Sequence, residues 1–452
     1  MAEAPAQAHA DRTAAVRVAG GAAPRQRLAW LDALRGIAAL AVVFDHLGPY
    51  LLKDLRGHVY HWVDVGQYGV FVFFLISGYI VPASLERKGS VRTFWVSRVF
   101  RLYPLYLLTI ALAVLLWGIG AGSLHGAGGD PATSVLAQLL MMSNVLAGPN
   151  LPNVVWSLSY EMIFYLLLTA LFIAGVHKRS GWYALVFGAA AVVLGGVLPQ
   201  QYFSHQLSTP HLIAAVADLV LLAGLAVAVV LRGTARLLGA ALAGLVAVLL
   251  LAFNGGWIYP WEGLAILGLM FTGTALYRAE QGEYPWPRAI AVAVATIGLS
   301  IAAGLWHSHA TGMSPSAEAL FERRWFFAFF LAGLTFGGGL LLRRLPVPRW
   351  VAWLGLISYS VYLLHPLLIE LYYHSPWGHQ RHSVGAQLVL YALFLVVLVA
   401  VSSVTYLLVE RPMQGLGRRV GKWLDARYGP DRVALPAVRH ADVRDSSVAE
   451  RA

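Results

Sequence analysis

Apolar runs about as long as a membrane-spanning helix recur from residue 29 to residue 409. A helix needs about 20 mostly apolar residues to cross a bilayer. Charged residues make up 12% of the chain, about half the share typical of soluble domains, and this excludes a soluble fold. We therefore predict an all-α polytopic bundle of about 10–12 spans, drawn from segments 29–51, 68–83, 101–120, 157–175, 182–199, 211–230, 236–253, 259–277, 289–306, 325–342, 351–372 and 386–409.

Two segments depart from the simple pattern of one helix for each span. The segment 68–83 is short and contains glycine, which predicts a broken or tilted helix. The segment 133–146 is apolar but too short to cross the bilayer. We expect it to form a re-entrant or interfacial helix.

Basic residues are distributed unequally between the two ends of these segments. If the N-terminus is cytoplasmic and the twelve segments alternate, 28 of the 33 Lys and Arg residues face the cytoplasm. Cytoplasmic loops of membrane proteins carry such an excess. The asymmetry predicts an even number of spans, with both termini in the cytoplasm. It places the protein in the cytoplasmic (inner) membrane. The net charge of +11 then reflects topology and gives no reason to expect a nucleic-acid partner.

The chain ends differ in composition from the membrane region. We predict a disordered cytoplasmic tail over 1–27, a membrane domain over 28–412 and a basic cytoplasmic tail over 413–452, disordered after about residue 425. Residues 1–27 lack the apolar core of a signal peptide. The chain contains no cysteine, which excludes disulfides and thiol nucleophiles.

Several ionisable side chains fall inside the predicted spans, where each costs roughly 2.5–3.5 kcal/mol on insertion scales. Arg35 and His46 lie on one face of the first segment, because eleven residues make about three helical turns. Arg35 is near the cytoplasmic end. His46, Glu161 and His365 come from three distant segments, yet all three are expected at a similar depth in the outer half of the membrane. Intramembrane ionisable groups are usually functional, so we predict a polar cavity there.

Candidate roles follow from the chemistry of these side chains. Histidine is the side chain best suited to move a proton near neutral pH, so His46 is a candidate general base. Glu161 is a candidate to orient it. Hydroxyls from Ser157, Ser358 and Tyr359 lie nearby in the sequence. Each of these residues could instead be an ordinary hydrogen-bonded packing residue.

A basic loop follows the second segment. Arg98 and Arg101 are three residues apart at the start of a span, and therefore neighbours on a helix. Arginine suits bidentate phosphate contacts, so the pair is a candidate cytoplasmic phosphate site. Arg87 and Lys88 fit a simpler role as topology signals or contacts to anionic lipid.

Metal binding and transport are the two other classes of function that these residues bring to mind. The loop histidines have no carboxylate at a fixed helical spacing beside them, so no metal site is predicted. Buried His and Glu residues also suit a proton-coupled transporter or flippase. Such a transporter has no need of a phosphate site at Arg98 and Arg101, and this distinguishes the two hypotheses.

Ordered motifs along the membrane region resemble acyltransferase family 3. The first segment reads LDALRGIAALAVVFDH and contains Arg35 and His46. The later motifs are GVFVFFLISGYI (69–80), Arg98 and Arg101 running into RLYP, WSLSYEMIFY (156–165) with Glu161, SYSVYLLHPLL (358–368), and Glu410-Arg411-Pro412.

This resemblance implies a membrane O-acyltransferase. It implies acyl-CoA, often acetyl-CoA, as cytoplasmic co-substrate, with no permanently bound cofactor, and a hydroxyl-bearing carbohydrate, glycolipid or secondary-metabolite acceptor. From the expected depths of the side chains, we predict Arg35, Arg98 and Arg101 at the donor phosphates and His46 and Glu161 at the reacting groups. Candidate contacts to the oxyanion or acceptor are Ser358, Tyr359, His365, Trp156 and Ser157. Ser77 could serve as an acyl relay or as a packing contact.

Overall fold

The computed structural model describes residues 26–122, 131–146, 148–195, 197–203, 210–378 and 383–431. Every secondary-structure element in these ranges is helical. The predicted disorder of residues 1–25 and 432–452 lies outside the described residues. The first helices are α1 (Gln26–Leu51), α2 (Lys53–Tyr60), α3 (Val65–Lys88), α4 (Val91–Gly118), α5 (Pro131–Leu139), α6 (Trp156–Ile173), α7 (Ser180–Leu194) and α8 (Pro210–Val230).

The second half continues the bundle. A 3-10 turn, Asn153–Val155, precedes α6, and a π turn, Tyr406–Glu410, joins the last two helices. The remaining helices are α9 (Gly233–Asn254), α10 (Pro260–Glu280), α11 (Trp286–Ala310), α12 (Pro315–Leu341), α13 (Arg349–Leu356), α14 (Ser358–Tyr373), α15 (Val384–Thr405) and α16 (Arg411–Tyr428).

The predicted all-α polytopic class is confirmed. Each of the twelve predicted segments coincides with a helix or, for 351–372, with the pair α13 and α14, which bends by 65°. Within the described ranges, eight helices are long and apolar enough to cross a membrane, and nine if the bent pair forms one span. The placement of both termini in the cytoplasm stays a prediction.

Three local expectations have different outcomes. Segment 68–83 is neither short nor broken, because α3 runs without interruption for 24 residues. Segment 133–146 forms the nine-residue helix α5, and residues 140–146 after it are buried, as a re-entrant segment requires. The expected disorder after residue 425 is wrong up to Asp431. Helix α16 continues to Tyr428, and Asp431 accepts a hydrogen bond from buried Arg236 at 2.8 Å.

Local sequence explains the sharp corner between α3 and α4. Gly89 ends α3 with a φ of 60°, a left-handed conformation that glycine adopts without strain. Ser90 then caps α4, since its side chain accepts a hydrogen bond from the Thr93 N–H. This corner fixes where α4, which contains both Arg98 and Arg101, begins.

Helix α10 lies at the centre of the bundle, packed against α3, α7 and α11, and nearly all its residues are buried. It crosses α3 at very short range. A Cβ on Gly78 would lie 1.8 Å from the carbonyl oxygen of Met270, and one on Gly273 would lie 2.3 Å from that of Leu75. Small residues permit such close packing between membrane helices, and the Thr274 hydroxyl donates to the Gly78 carbonyl at 2.8 Å across the contact.

We expect Gly78→Ala to destabilise the folded protein strongly, because the new methyl group meets backbone atoms that cannot move aside. Overpacking of this kind costs about 1–3 kcal/mol or more. The thermal unfolding midpoint in detergent, followed by fluorescence-detected gel filtration, measures the effect. Gly298→Ala is the control, since nothing lies within 4 Å of its Cβ position. Equal midpoints for the two variants would contradict the close α3–α10 crossing.

Candidate active site

A polar cavity lies between α1, α3, α4, α6 and α14. Its lining includes Arg35, Arg101 and Glu161, together with hydroxyls from Ser77, Ser157, Ser358 and Tyr359 and the apolar surfaces of Val70, Phe73, Phe74, Leu102 and Leu158. Tyr362 completes the wall. We call this the arginine cavity. Most of the side chains predicted from sequence therefore meet at one site, although they come from five helices.

Glu161 is the acidic member of the arginine cavity. It accepts hydrogen bonds from the Ser77 hydroxyl at 3.3 Å and from the Tyr165 hydroxyl. Arg35 lies close enough to interact electrostatically with both Glu161 and Arg101, and it also pairs with Asp32 at 3.4 Å. With Arg98 close by, three guanidinium groups meet the two carboxylates of Asp32 and Glu161, and the site keeps an excess of positive charge.

Arg98 lies behind this cavity and does not line it. Its guanidinium carbon is 5.2 Å from the centre of the Phe94 ring and 5.3 Å from that of Tyr165. The side chain is buried. Helix α4 therefore presents Arg101 to the cavity, whereas Arg98, three residues earlier, packs against Tyr165, which in turn donates to Glu161.

His46 and His365 form a direct contact. His46 Nδ1 lies 2.8 Å from His365 Nε2, and the two rings stack with their centres 5.0 Å apart. His365 is fully buried, whereas His46 on α1 is half-buried. The prediction that these two residues share a depth agrees with this contact.

The hydrogen bonds assign the tautomers of the histidine pair. His365 Nδ1 is 3.1 Å from the carbonyl oxygen of Val361, so this nitrogen carries the proton and donates. His365 Nε2 is then unprotonated and accepts from His46 Nδ1–H. His46 Nε2 is left with a free lone pair, which is the state that a general base requires.

The prediction that Glu161 orients His46 is wrong, because Glu161 does not lie beside His46. The hydrogen-bond partner of His46 among the described residues is His365, while Glu161 lies with Arg35 in the arginine cavity. The reason is that residues 140–146, before α6, are buried. Helix α6 therefore starts inside the bundle, and Glu161 lies deeper than it would if α6 began at the surface.

A hydrogen-bonded partition closes the arginine cavity near the histidine pair. The Tyr362 hydroxyl lies 2.8 Å from the Ser157 hydroxyl and donates to the Val154 carbonyl at 3.0 Å. The Ser157 hydroxyl also lies 3.2 Å from that carbonyl. The Tyr362 and His365 rings are 6.1 Å apart, edge to face. Tyr362, Ser157 and Val154 together form what we call the tyrosine partition.

The other predicted contact residues have varied positions. Ser358 and Tyr359 line the arginine cavity, and the Tyr359 hydroxyl donates to the Leu102 carbonyl at 3.0 Å. Trp156 is outside the cavity lining, and its ring packs against Trp257 and Tyr160. Trp156 therefore supports the start of α6.

Sequence reasoning missed several buried polar residues. Tyr362 precedes His365 by three residues, so it shares a helix face with it, and that spacing was a usable signal. Glu410, in the last motif, accepts a hydrogen bond from Ser360 at 2.5 Å. Asp218 on α8 is fully buried, with no hydrogen-bond partner for either carboxylate oxygen among the described residues. A complete scan of the spans for acids would have found it.

The structure also gathers one group of metal-type ligands away from the cavity. His309, at the end of α11, contacts Glu318 and lies 3.7 Å from Glu322, both on α12. No spacing in the sequence predicted this group, because His309 and Glu318 are nine positions apart and lie on different helices. His309 is exposed, and ion pairs across the α11–α12 turn account for the arrangement.

Comparison with known proteins finds relatives for the first half of the membrane region. Residues 28–214 match the family described as an acyltransferase domain. The chain is 31% identical to the acyltransferase MdmB of Streptomyces mycarofaciens over 188 residues, which are 39% of this chain and 48% of that protein. It is 32% identical to nodulation protein 10 of Rhizobium leguminosarum bv. viciae over 198 residues, which are 38% of this chain and 51% of the relative.

A third relative is named for a particular acceptor. YrhL of Bacillus subtilis (strain 168), a candidate peptidoglycan O-acetyltransferase, is 27% identical over 162 residues, 32% of this chain and 24% of its own length. The chain spans about half the length, or less, of these curated relatives. No solved structure matches the chain. The matched region contains Arg35, His46, Arg101 and Glu161. The resemblance predicted from the motifs is confirmed over residues 28–214: this part of the multi-pass membrane chain is similar to acyltransferase family 3.

Proposed function

We propose that this protein is a membrane O-acyltransferase that moves an acyl group, acetyl in the simplest form, from acyl-CoA to a hydroxyl of a carbohydrate, glycolipid or secondary-metabolite acceptor. The observation that carries the proposal is the pairing of an arginine-lined cavity with a histidine whose Nε2 lone pair is fixed by a second histidine. The first feature suits a phosphorylated donor, and the second suits proton removal from an alcohol.

The charges of the arginine cavity support the donor assignment. Arg35 and Arg101 present guanidinium groups, which bind phosphate oxygens in a bidentate manner. From there the cavity extends past Ser77 to Ser157 and Tyr362, and apolar side chains line its walls. A pantetheine arm is long and mostly uncharged, and this lining would accommodate it. The thioester would then lie at the tyrosine partition, beside the histidine pair.

The proposed chemistry is a direct attack on the thioester. The acceptor oxygen attacks the carbonyl carbon, the new C–O bond forms and the C–S bond breaks. His46 Nε2 takes the hydroxyl proton and passes it to the leaving thiolate of CoA. His365 keeps His46 in the reactive tautomer through the Nδ1 hydrogen bond, the orienting role that a carboxylate plays in a catalytic triad. Ser157, at the partition, is placed to donate a hydrogen bond to the developing oxyanion.

Replacing Arg35 and Arg101 by alanine should weaken acetyl-CoA binding by about 10- to 100-fold, because a charge-assisted hydrogen bond contributes about 1.5–3 kcal/mol. Isothermal titration of the purified protein measures the dissociation constant. Arg87→Ala removes the same charge from an exposed position at the end of α3 and should leave binding unchanged. Equal affinities in wild type, the double variant and the control would remove the donor site from this cavity.

His46→Ala should lower the rate of acyl transfer by about 10²–10⁴-fold, the usual contribution of a general base, with acetyl-CoA affinity retained. Transfer of radiolabelled acetyl groups in membranes of the native organism, with the chromosomal gene replaced by each variant, provides the measurement. His374→Ala is a matched control, because His374 is exposed and its Nδ1 lies 3.0 Å from the Glu370 carbonyl oxygen, one turn earlier in the chain. Normal turnover by His46→Ala would exclude His46 as the base.

A further inference from the structure

A second cavity lies on the other side of the tyrosine partition. It is lined by α4, by the segment that leads into α6, and by the second half of α14. Its polar lining consists of Asn150, Asn153 and Glu370, and its apolar lining includes Ala113 and Leu367. We call it the asparagine cavity. None of the residues predicted from sequence lines it.

The two cavities are separated by about one helical turn. Helix α14 presents Tyr362 to the arginine cavity and Pro366 to the asparagine cavity. The segment entering α6 does the same with Ser157 and Asn153. Four residues of helix rise only about 6 Å. The hydrogen bonds among Tyr362, Ser157 and Val154 fill this interval.

Neither histidine is part of the described lining of either cavity, but His365 is close in sequence to residues that line both. His365 comes three residues after Tyr362 and immediately before Pro366, so α14 passes from one cavity to the other at this histidine. His46 contacts His365 from α1. A base at this position can serve a reaction between two molecules that enter from opposite sides.

The two cavities differ in charge. Arg35 and Arg101 outnumber Glu161 in the lining of the arginine cavity, whereas among the described residues that line the asparagine cavity only Glu370 is charged. An anionic ligand is favoured by the first cavity and disfavoured by the second. Amide side chains both donate and accept hydrogen bonds, so Asn150 and Asn153 suit a ligand with several hydroxyl groups.

We propose that the asparagine cavity binds the acceptor, as an uncharged polyhydroxylated molecule entering from the outer side, and that Tyr362 separates it from the acyl donor until transfer. This inference rests on the proposed acyltransferase function. During transfer the Tyr362 side chain moves away from Ser157 and Val154, the acceptor hydroxyl reaches the thioester carbonyl, and its proton passes to His46 as the C–O bond forms and the C–S bond breaks.

The absence of cysteine from the chain allows single thiols to report which cavity opens to which side. Ala113→Cys places a thiol in the asparagine cavity, and Ser77→Cys places one in the arginine cavity. The probe is a charged, membrane-impermeant methanethiosulfonate, applied to right-side-out and to inverted vesicles. Ala111→Cys, on the exposed surface of the same helix as Ala113, controls for reaction at the lipid-facing side.

We expect Ala113→Cys to react only from the outer side and Ser77→Cys only from the cytoplasmic side. In a Tyr362→Ala background both thiols should react from either side, while Tyr359→Phe, which alters another tyrosine of the arginine cavity, should preserve the sidedness. Labelling of Ala113→Cys from the cytoplasm alone would overturn the proposal. So would unchanged sidedness in Tyr362→Ala that elutes as a folded protein in gel filtration.

Protection of the thiol by added sugars tests the class of ligand that the asparagine cavity binds. N-acetylglucosamine should slow labelling of Ala113→Cys from the outer side. Its 6-phosphate should protect the thiol at least tenfold less effectively. Glu370→Gln should reduce this difference in protection between the two sugars. Equal or stronger protection by the phosphate, or protection by neither sugar, would reject the proposed class. These labelling results do not depend on turnover. Loss of acetyl-CoA binding at the arginine cavity would instead reject the donor assignment on which this inference rests.

Discussion

The hydrogen bond of 2.8 Å between His46 and His365 joins two helices that are 319 residues apart in the chain. It depends on the path of the late helices. A Cβ on Gly355 would lie 1.9 Å from the Asp32 carbonyl oxygen, so α13 can approach α1 only because glycine stands there. The 65° bend after α13 then turns α14 along α1, and His365 arrives beside His46. The position of the base, the tyrosine partition and both cavities all follow from this packing.

The two cavities suggest how one membrane domain handles reactants of opposite character. Acyl-CoA carries several phosphate charges, and two arginines offer a site for them in the first cavity. The second cavity has a carboxylate and two amides in its lining, and this lining does not stabilise the phosphate charges of the donor. The partition between them is one helical turn thick, and only the acyl group needs to pass. A transporter of the whole donor would need a continuous path for its phosphates, and the charge contrast disfavours one.

Much of this architecture could be predicted from sequence because few backbone structures can cross a bilayer. Backbone groups must pair within each span, so apolar runs mark helices. Ionisable side chains inside those runs marked Arg35, His46, Glu161 and His365 as functional candidates. Depth was harder to predict. Glu161 lies deeper in the bundle than its distance from the end of the span suggested. The reason is that residues 140–146 are buried, so α6 starts inside the bundle. Hydropathy cannot distinguish Arg101, which lines the cavity, from Arg98, which supports it from behind, because helix rotation decides which one faces inward.

The most direct test of the central claim is a cryo-electron microscopy structure with acetonyl-CoA, in which a ketone replaces the thioester and cannot be transferred. We expect the phosphates to contact Arg35 and Arg101 and the pantetheine arm to pass Ser77. We expect the ketone carbonyl to lie at the Ser157–Tyr362 partition, within reach of the His46 side chain. A CoA bound elsewhere on the surface, or one whose ketone lies far from the histidine pair, would contradict the claim.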